Sequence, residues 1–353
     1  MLVLHSARRV PVVASLLLLL AACSHDNGPS EFNPAGATAD LTAAEDAFQA
    51  PAVTSYGAVS SDIAFALGGS AAVVGSPALA LSGSSSRERY ARAVTRMLPA
   101  SSGMQASVAA IPASALGTTY EWDTTSDVYV QSDLPGAPSN GVRFLLYAVN
   151  PVTLRPVEPL DEVGYVDFID ESGSSTLAVR AIVVSNGTTY LDYSVHASGT
   201  SSSGSVTVTG YASDGTIRAN FNLENALTQT TDGITLELDY GLDVPNRNLE
   251  LDWTATISEV SGQETQVGVD LTIQGENGTI RLQGTVAAGD GSFTVRVNGD
   301  LFATITLSSG SEAVITGANG GTLTAEEEET LRTILSYYDD SFGVFGALLA
   351  PIG

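Results

Sequence analysis

The sequence predicts a mainly β protein: a long antiparallel meander forming a curved sheet or half-barrel, with helices N-terminal to it and at the C-terminus. Three observations predict it. From about Thr118 apolar and polar residues alternate with period two, the mark of a half-buried strand. The runs are separated by short gaps with turn dipeptides: Asn186-Gly187, Asp214-Gly215, Asp232-Gly233, Asn277-Gly278 and Asp290-Gly291. Asn, Asp and Gly tolerate positive φ, as tight hairpins require. No helix-length segment separates the runs, which excludes parallel crossovers and predicts antiparallel pairing throughout.

The strand faces follow from the alternation. "ITLELDYGL" places Ile234, Leu236, Leu238, Tyr240 and Leu242 on one face, and "LELDWTATI" does the same with Leu249, Leu251, Trp253, Ala255 and Ile257. "VGVDLTI" gives Val267, Val269, Leu271 and Ile273, and "FTVRV" gives Phe293, Val295 and Val297. Shorter runs repeat the pattern around Tyr193, Val208 and Phe221. The other face carries Thr, Asp, Glu, Asn and Arg. About a dozen strands fit between Thr118 and Thr316. Sheets beyond about ten strongly twisted strands curl or split, so the sheet is expected to close on itself or to curve around the flanking helices, with the C-terminal helix and its apolar tail as the obvious filling.

Helical signals sit on both sides of the meander. "TAAE" at Thr42–Glu45 has capping-box spacing, and "RERYARAVTRML" sets Tyr90, Val94, Met97 and Leu98 against an arginine stripe of Arg89, Arg92 and Arg96. The stretch between them carries no firm pattern. At the other end Thr324 and Glu327 form a second capping-box pair, with Glu326 to Glu329 in the first turns, where the helix dipole favours acids. Leu331, Ile334, Leu335 and Tyr338 follow as an apolar stripe, and "SFGVFGALLAPIG" adds an apolar tail.

The N-terminus carries a different message. Arg8 and Arg9 precede an apolar run from Val10 to Leu20, which is too short to span a bilayer and has the layout of a secretion signal. The run ends in Leu20-Ala21-Ala22-Cys23, and Cys23 is the only cysteine. This tetrad resembles the lipobox of bacterial lipoproteins: an aliphatic residue, two small residues, then a cysteine. The resemblance covers about the first 25 residues. It implies cleavage before Cys23, lipidation of Cys23, and a membrane partner reached through its acyl chains. Each buried methylene contributes about 0.8 kcal/mol, so two or three chains suffice to hold a protein on a membrane. Ser24 follows the cysteine where enterobacterial inner-membrane retention uses an aspartate, which implies the outer membrane. The expected layout is a signal peptide at 1–22, an acylated tether at 23–37, a partly helical segment at 38–115, the β domain at 116–316, and an amphipathic helix with apolar tail, packing on the sheet, at 317–353.

Charge and chemistry narrow the function. All 14 basic residues are arginine, and loss of Arg8 and Arg9 with the signal takes the formal charge from −25 to −27. Such a chain repels phosphate backbones, which excludes nucleic acid as an expected partner. No nucleophile elbow, zinc-protease helix, phosphate loop or dinucleotide fingerprint occurs. His25 falls in the tether and His196 at a strand end, where a lone histidine is usually structural. No cofactor is implied. "PLDEVGYVDFIDES" supplies Asp161, Glu162, Asp167, Asp170 and Glu171, with Asp123 and Asp127 nearby. These are weak candidates for calcium, or for an acid/base pair acting on glycans, set against solvated edges of an acidic chain. Arg89, Arg92 and Arg96 are weak candidates for lipid phosphate, set against a solvated helix face.

At the level of architecture alone the body is similar to the half-barrel carriers of the bacterial lipoprotein-sorting and mycobacterial lipid-transfer families, where a curved sheet wraps helices around a hollow for acyl chains. That likeness implies a hydrophobic small molecule or lipid as ligand; a sheet filled by its own helices is the bland alternative. A transmembrane barrel would show the same alternation, but the lipobox, the helical C-terminus and the lack of aromatic girdles weigh against it. The expectation is a non-enzymatic envelope lipoprotein with a binding or structural role. Its rivals are a carboxylate- or calcium-dependent glycan enzyme and a surface interaction module.

Overall fold

The computed structural model describes residues 32–67, 110–173, 176–200, 202–309 and 311–349. The signal, Cys23, and the arginines at 89, 92 and 96 lie outside the described residues, as do the side chains from 338 onward.

Two helices open the described chain, α1 (Pro34–Asp46) and α2 (Pro51–Ala66). Fifteen strands follow: β1 (Thr118–Asp123), β2 (Val128–Ser132), β3 (Gly141–Tyr147), β4 (Glu162–Asp170), β5 (Leu177–Ser185), β6 (Thr188–Gly199), β7 (Ser203–Ser213) and β8 (Arg218–Gln229). The series continues with β9 (Gly233–Val244), β10 (Leu249–Val260), β11 (Gln266–Gly275), β12 (Gly278–Ala287), β13 (Asp290–Val297), β14 (Asp300–Leu307) and β15 (Val314–Gly317). The helix α3 (Ala325–Leu349) closes it.

All fifteen strands join one open sheet in the order β15 through β3, then β1, then β2. From β3 to β15 each strand pairs antiparallel with the next in sequence. The exception to the predicted antiparallel meander is β1, which pairs parallel with β3 at Thr118↔Val142 to Tyr120↔Phe144. The short hairpin β1–β2 makes this possible: β2 takes the edge, and the chain returns from it to the far side of β1 without a helical crossover. The strand count also exceeds the dozen predicted.

The face assignment follows the sequence pattern. Leu236, Leu238, Tyr240, Leu242, Leu249, Leu251, Trp253 and Ala255 are buried, while Glu237, Asp239, Glu250, Asp252 and Thr254 are exposed. In register, Trp253 lies between Tyr240 and Leu271, and Asp252 between Gly241 and Thr272. The helices cover the apolar face. Phe48, just after α1, meets Phe221 of β8, Tyr56 of α2 meets Phe168 of β4, and Phe32 meets Phe302 of β14. Burying one large apolar side chain contributes roughly 1.5–3 kcal/mol, so this face dominates stability.

Several boundaries differ from expectation. Thr42–Glu45 is not a helix start: α1 begins at Pro34, inside the segment expected to be tether. Asn33 caps it by accepting the Gly36 amide at 3.0 Å, and Thr42 lies mid-helix, donating to the Thr38 carbonyl at 2.9 Å. A proline at the first helical position behind an asparagine cap is the stronger start signal. The β12–β13 turn falls at Ala288-Gly289, both at positive φ, and Asp290 already belongs to β13. The capping box of α3 forms as its spacing predicts: the Thr324 amide donates to Glu327 Oε2 at 2.7 Å, and the Glu327 amide donates to Thr324 Oγ1 at 3.2 Å. The helix then runs through most of the apolar tail.

Candidate functional site

The helix-lined face joins eight aromatic residues into one seam. It starts at Trp122 of β1, edge-on to Tyr129 of β2 with centroids 5.2 Å apart. Tyr129 meets Phe144 of β3 at 5.1 Å, Phe144 meets Phe168 of β4 at 6.1 Å, and Phe168 meets Tyr56 of α2 at 6.0 Å. The hydroxyls of Tyr56 and Tyr193 of β6 are 2.6 Å apart, and Tyr193 continues to Phe221. Phe48 ends the series against Phe221. Edge-on and tilted rings at such spacings are favourable for packed aromatics. Beside Tyr56, the Ser55 hydroxyl donates to the Tyr147 carbonyl at 2.7 Å, so α2 is tied to β3 and β6 by two buried polar bonds.

The phenols on this face are chemically quiet. Burial pushes the pKa of Tyr56, Tyr129, Tyr193 and Tyr240 above the usual tyrosine range of 10.0. They stay protonated at any physiological pH, so none supplies a base or a phenolate nucleophile. Tyr240 hydrogen-bonds Tyr337 of α3, a second phenol pair joining helix to sheet. Val53, Val59 and Ile63 of α2, Leu41 of α1, and Leu331 and Ile334 of α3 supply the remaining apolar cover. The arrangement holds apolar groups and offers neutral hydroxyl donors.

A third contact clamps the other end of α2. Arg155, in the β3–β4 connection, donates to Asp62 at 2.9 Å, lies 3.7 Å from Asp127, and approaches the Trp122 ring at 5.6 Å. The connection thus closes over the end of the seam.

The acidic candidates do not converge. Asp161 is an exposed loop residue, and Glu162 and Asp170 stand at opposite ends of β4, about 26 Å apart at the usual strand rise. Asp167 forms a two-pronged salt bridge with Arg143 of β3, at 2.7 and 2.8 Å, and the guanidinium stacks on Tyr165 at 3.6 Å. Asp170 accepts the Ser172 amide at 2.9 Å and the Ile111 amide at 3.3 Å, tying the incoming chain to the sheet. Asp123 accepts from the Ser126 hydroxyl and the Thr125 amide, and these bonds hold its carboxyl below the usual range. Each of Asp123, Asp167 and Asp170 therefore has a local structural partner. Among the described residues no group of three or more His, Cys, Asp or Glu side chains is placed to hold a metal ion. His196 is exposed on β6, opposite Ala178 and Thr207. No described helix is long and apolar enough to cross a membrane.

The sequence pattern does not assign α2 or, with it, Tyr56, the helix's contribution to the seam. A signal was present: Pro51 precedes Val53, Tyr56, Val59 and Ile63 at helical spacing. The interspersed serines, Thr54 and Gly57 diluted it.

Comparison with protein-family models, with characterised proteins and with solved structures finds no match to this chain.

Proposed function

We propose that the chain is a lipid-anchored protein of the bacterial envelope, placed at the outer membrane by acyl chains on Cys23, with a non-enzymatic binding or structural role. In the binding form of this reading the helix-lined face of the sheet receives a hydrophobic small molecule or lipid. The observation that carries it is the aromatic seam from Trp122 to Phe221, across which α2 is held by Tyr56–Tyr193 and Ser55–Tyr147. The two buried polar bonds contribute on the order of 1 kcal/mol each; most of what holds α2 is the burial of Val53, Tyr56, Val59 and Ile63, which the apolar chain of a ligand would have to replace. A partial lift of α2 would open a continuous apolar surface without breaking strand pairing. The buried phenols supply neutral donors for a polar head.

A structural role is the second reading. It is favoured by the complete burial of Phe144, Leu146, Val166, Ala181, Val183 and Val195, which speaks for a filled interior. Titration with a fluorescent fatty acid separates the two. Saturable uptake near one molecule per chain, displaced by unlabelled fatty acid and weakened in Tyr56→Ala, supports the binding role. Absence of saturable uptake leaves the structural role alone.

A further inference from the structure

We propose that the sheet stands upright on the membrane, with the rim formed by the β7–β8, β9–β10, β11–β12 and β13–β14 turns facing the lipid headgroups. This rests on the reading that Cys23 is acylated, and it adds which surface meets the lipid.

The support is where the described chain starts. Asn33 donates from Nδ2 to Asn277 Oδ1 at 2.8 Å, in the β11–β12 turn, and caps α1 through its own Oδ1. Phe32 packs on Phe302 near the β13–β14 turn at 4.8 Å. Gly36 passes so close to the Asn277 side chain that a Cβ there would collide with it. The chain is thereby pinned to one rim at its first described residues. Between Cys23 and Phe32 there are nine residue steps, which span at most about 32 Å even fully extended. The strands β6 to β10 are each about 40 Å long. The acylated cysteine therefore stays closer to this rim than the length of the sheet.

A second consideration, charge, does not select between the rims. Eight arginines lie among the described residues. Arg143, Arg155, Arg180, Arg281 and Arg332 are held in salt bridges. Arg218, Arg247 and Arg296 are exposed and lie at the pinned rim. Arg218 stacks on Tyr211 and donates to Asn220, Arg247 faces Asp40, and Arg296 donates to the Gly299 carbonyl. Acids outnumber them there: Asp40, Asp214, Asp243, Glu250, Glu276 and Asp300, with Glu326 to Glu329 at the start of α3, where Thr330 donates to the Pro34 carbonyl. The opposite rim over β8–β15 carries Asp232, Glu259, Glu264, Asp290 and Glu312, all exposed, with no basic residue among those described. Both rims are acidic, and the tether alone selects the end.

The test uses the full-length processed protein in vesicles of phosphatidylethanolamine and phosphatidylglycerol. Thr216→Cys and Thr231→Cys place one thiol at each end of β8, both at exposed turn positions. Each is labelled with a donor dye, and energy transfer to an acceptor lipid is measured. The separation of about 40 Å predicts at least threefold greater transfer from position 216. Vesicle-bound protein with equal transfer from both positions, or greater transfer from 231, overturns the orientation alone. Wild-type protein that takes up the thiol dye at Cys23 and stays off the vesicles overturns the anchor reading, and the orientation falls with it.

Discussion

The hydroxyls of Tyr56 and Tyr193, 137 residues apart in sequence, meet at 2.6 Å in a fully buried pair and fasten α2 to the centre of the apolar face. Either phenol can donate, and loss of one hydroxyl strands the other. Tyr56→Phe or Tyr193→Phe should each cost about 1–3 kcal/mol in urea unfolding, the penalty for a buried unsatisfied group. The double variant should cost less than the sum, since it leaves no orphan. Strict additivity would show that the hydroxyls act independently.

Buried phenols also predict alkaline behaviour. Tyr56, Tyr129, Tyr193 and Tyr240 have pKa values raised by burial above 10.0, the value expected once unfolded. Between those limits the folded chain holds more protons than the unfolded one, so stability is intact below pH 10 and falls as pH rises beyond it. Tyrosinate absorbance near 295 nm should therefore rise in two stages. Exposed tyrosines titrate first, and the buried set follows together with loss of circular dichroism. A single smooth titration with the fold retained would contradict the burial of these groups.

Two glycines on the helix-lined face make room for aromatic neighbours. A Cβ at Gly210 would run into the Asp192 carbonyl and the Tyr193 backbone, and one at Gly284 into the Ser292 carbonyl and Phe293. Backbone atoms cannot step aside as a flexible side chain can. Gly210→Val and Gly284→Val should each destabilise by about 1–3 kcal/mol through overpacking. Gly57→Ala in α2, where nothing lies within 4 Å, should be neutral or stabilising by up to about 1 kcal/mol. Thermal melts of the three variants check this ordering.

On the outer face, like charges sit directly across from one another: Glu224 opposite Asp239, and Asp243 opposite Glu250. Such pairs oppose strand pairing by roughly 0.2–1 kcal/mol. Asp239→Lys should therefore raise the urea midpoint, and added salt should stabilise the wild type more than the variant. A variant with unchanged midpoint and unchanged salt dependence would mean that these carboxylates are already screened.

The β meander was legible because its period-two pattern is enforced by burial of one whole face. A slip at Trp253 or Tyr240 would turn every apolar residue of that strand to water. The capping box at Thr324 was legible for a local reason, since both partners lie within one helical turn. What the sequence does not reveal depends on distant partners. The parallel β1–β3 pairing turns on which side of β1 the chain returns to, and no residue of the hairpin encodes that. α2 is a weak helix by composition, and contacts with Phe168 and Tyr193, more than 100 residues away, hold it in place. The acidic run at Asp161–Glu171 appeared as a cluster because its members are close in sequence. A strand then spreads them along its length and gives Asp167 and Asp170 separate partners.

The most direct test of the binding role uses the body from Ser24 to Gly353, without signal or acylated cysteine, purified without detergent and analysed by native mass spectrometry and lipid extraction. The account predicts a stoichiometric copurified lipid or other apolar species. A clean mass for the chain alone, with no uptake of added fatty acid, would contradict the binding role and identify the helix-lined face as a filled structural core.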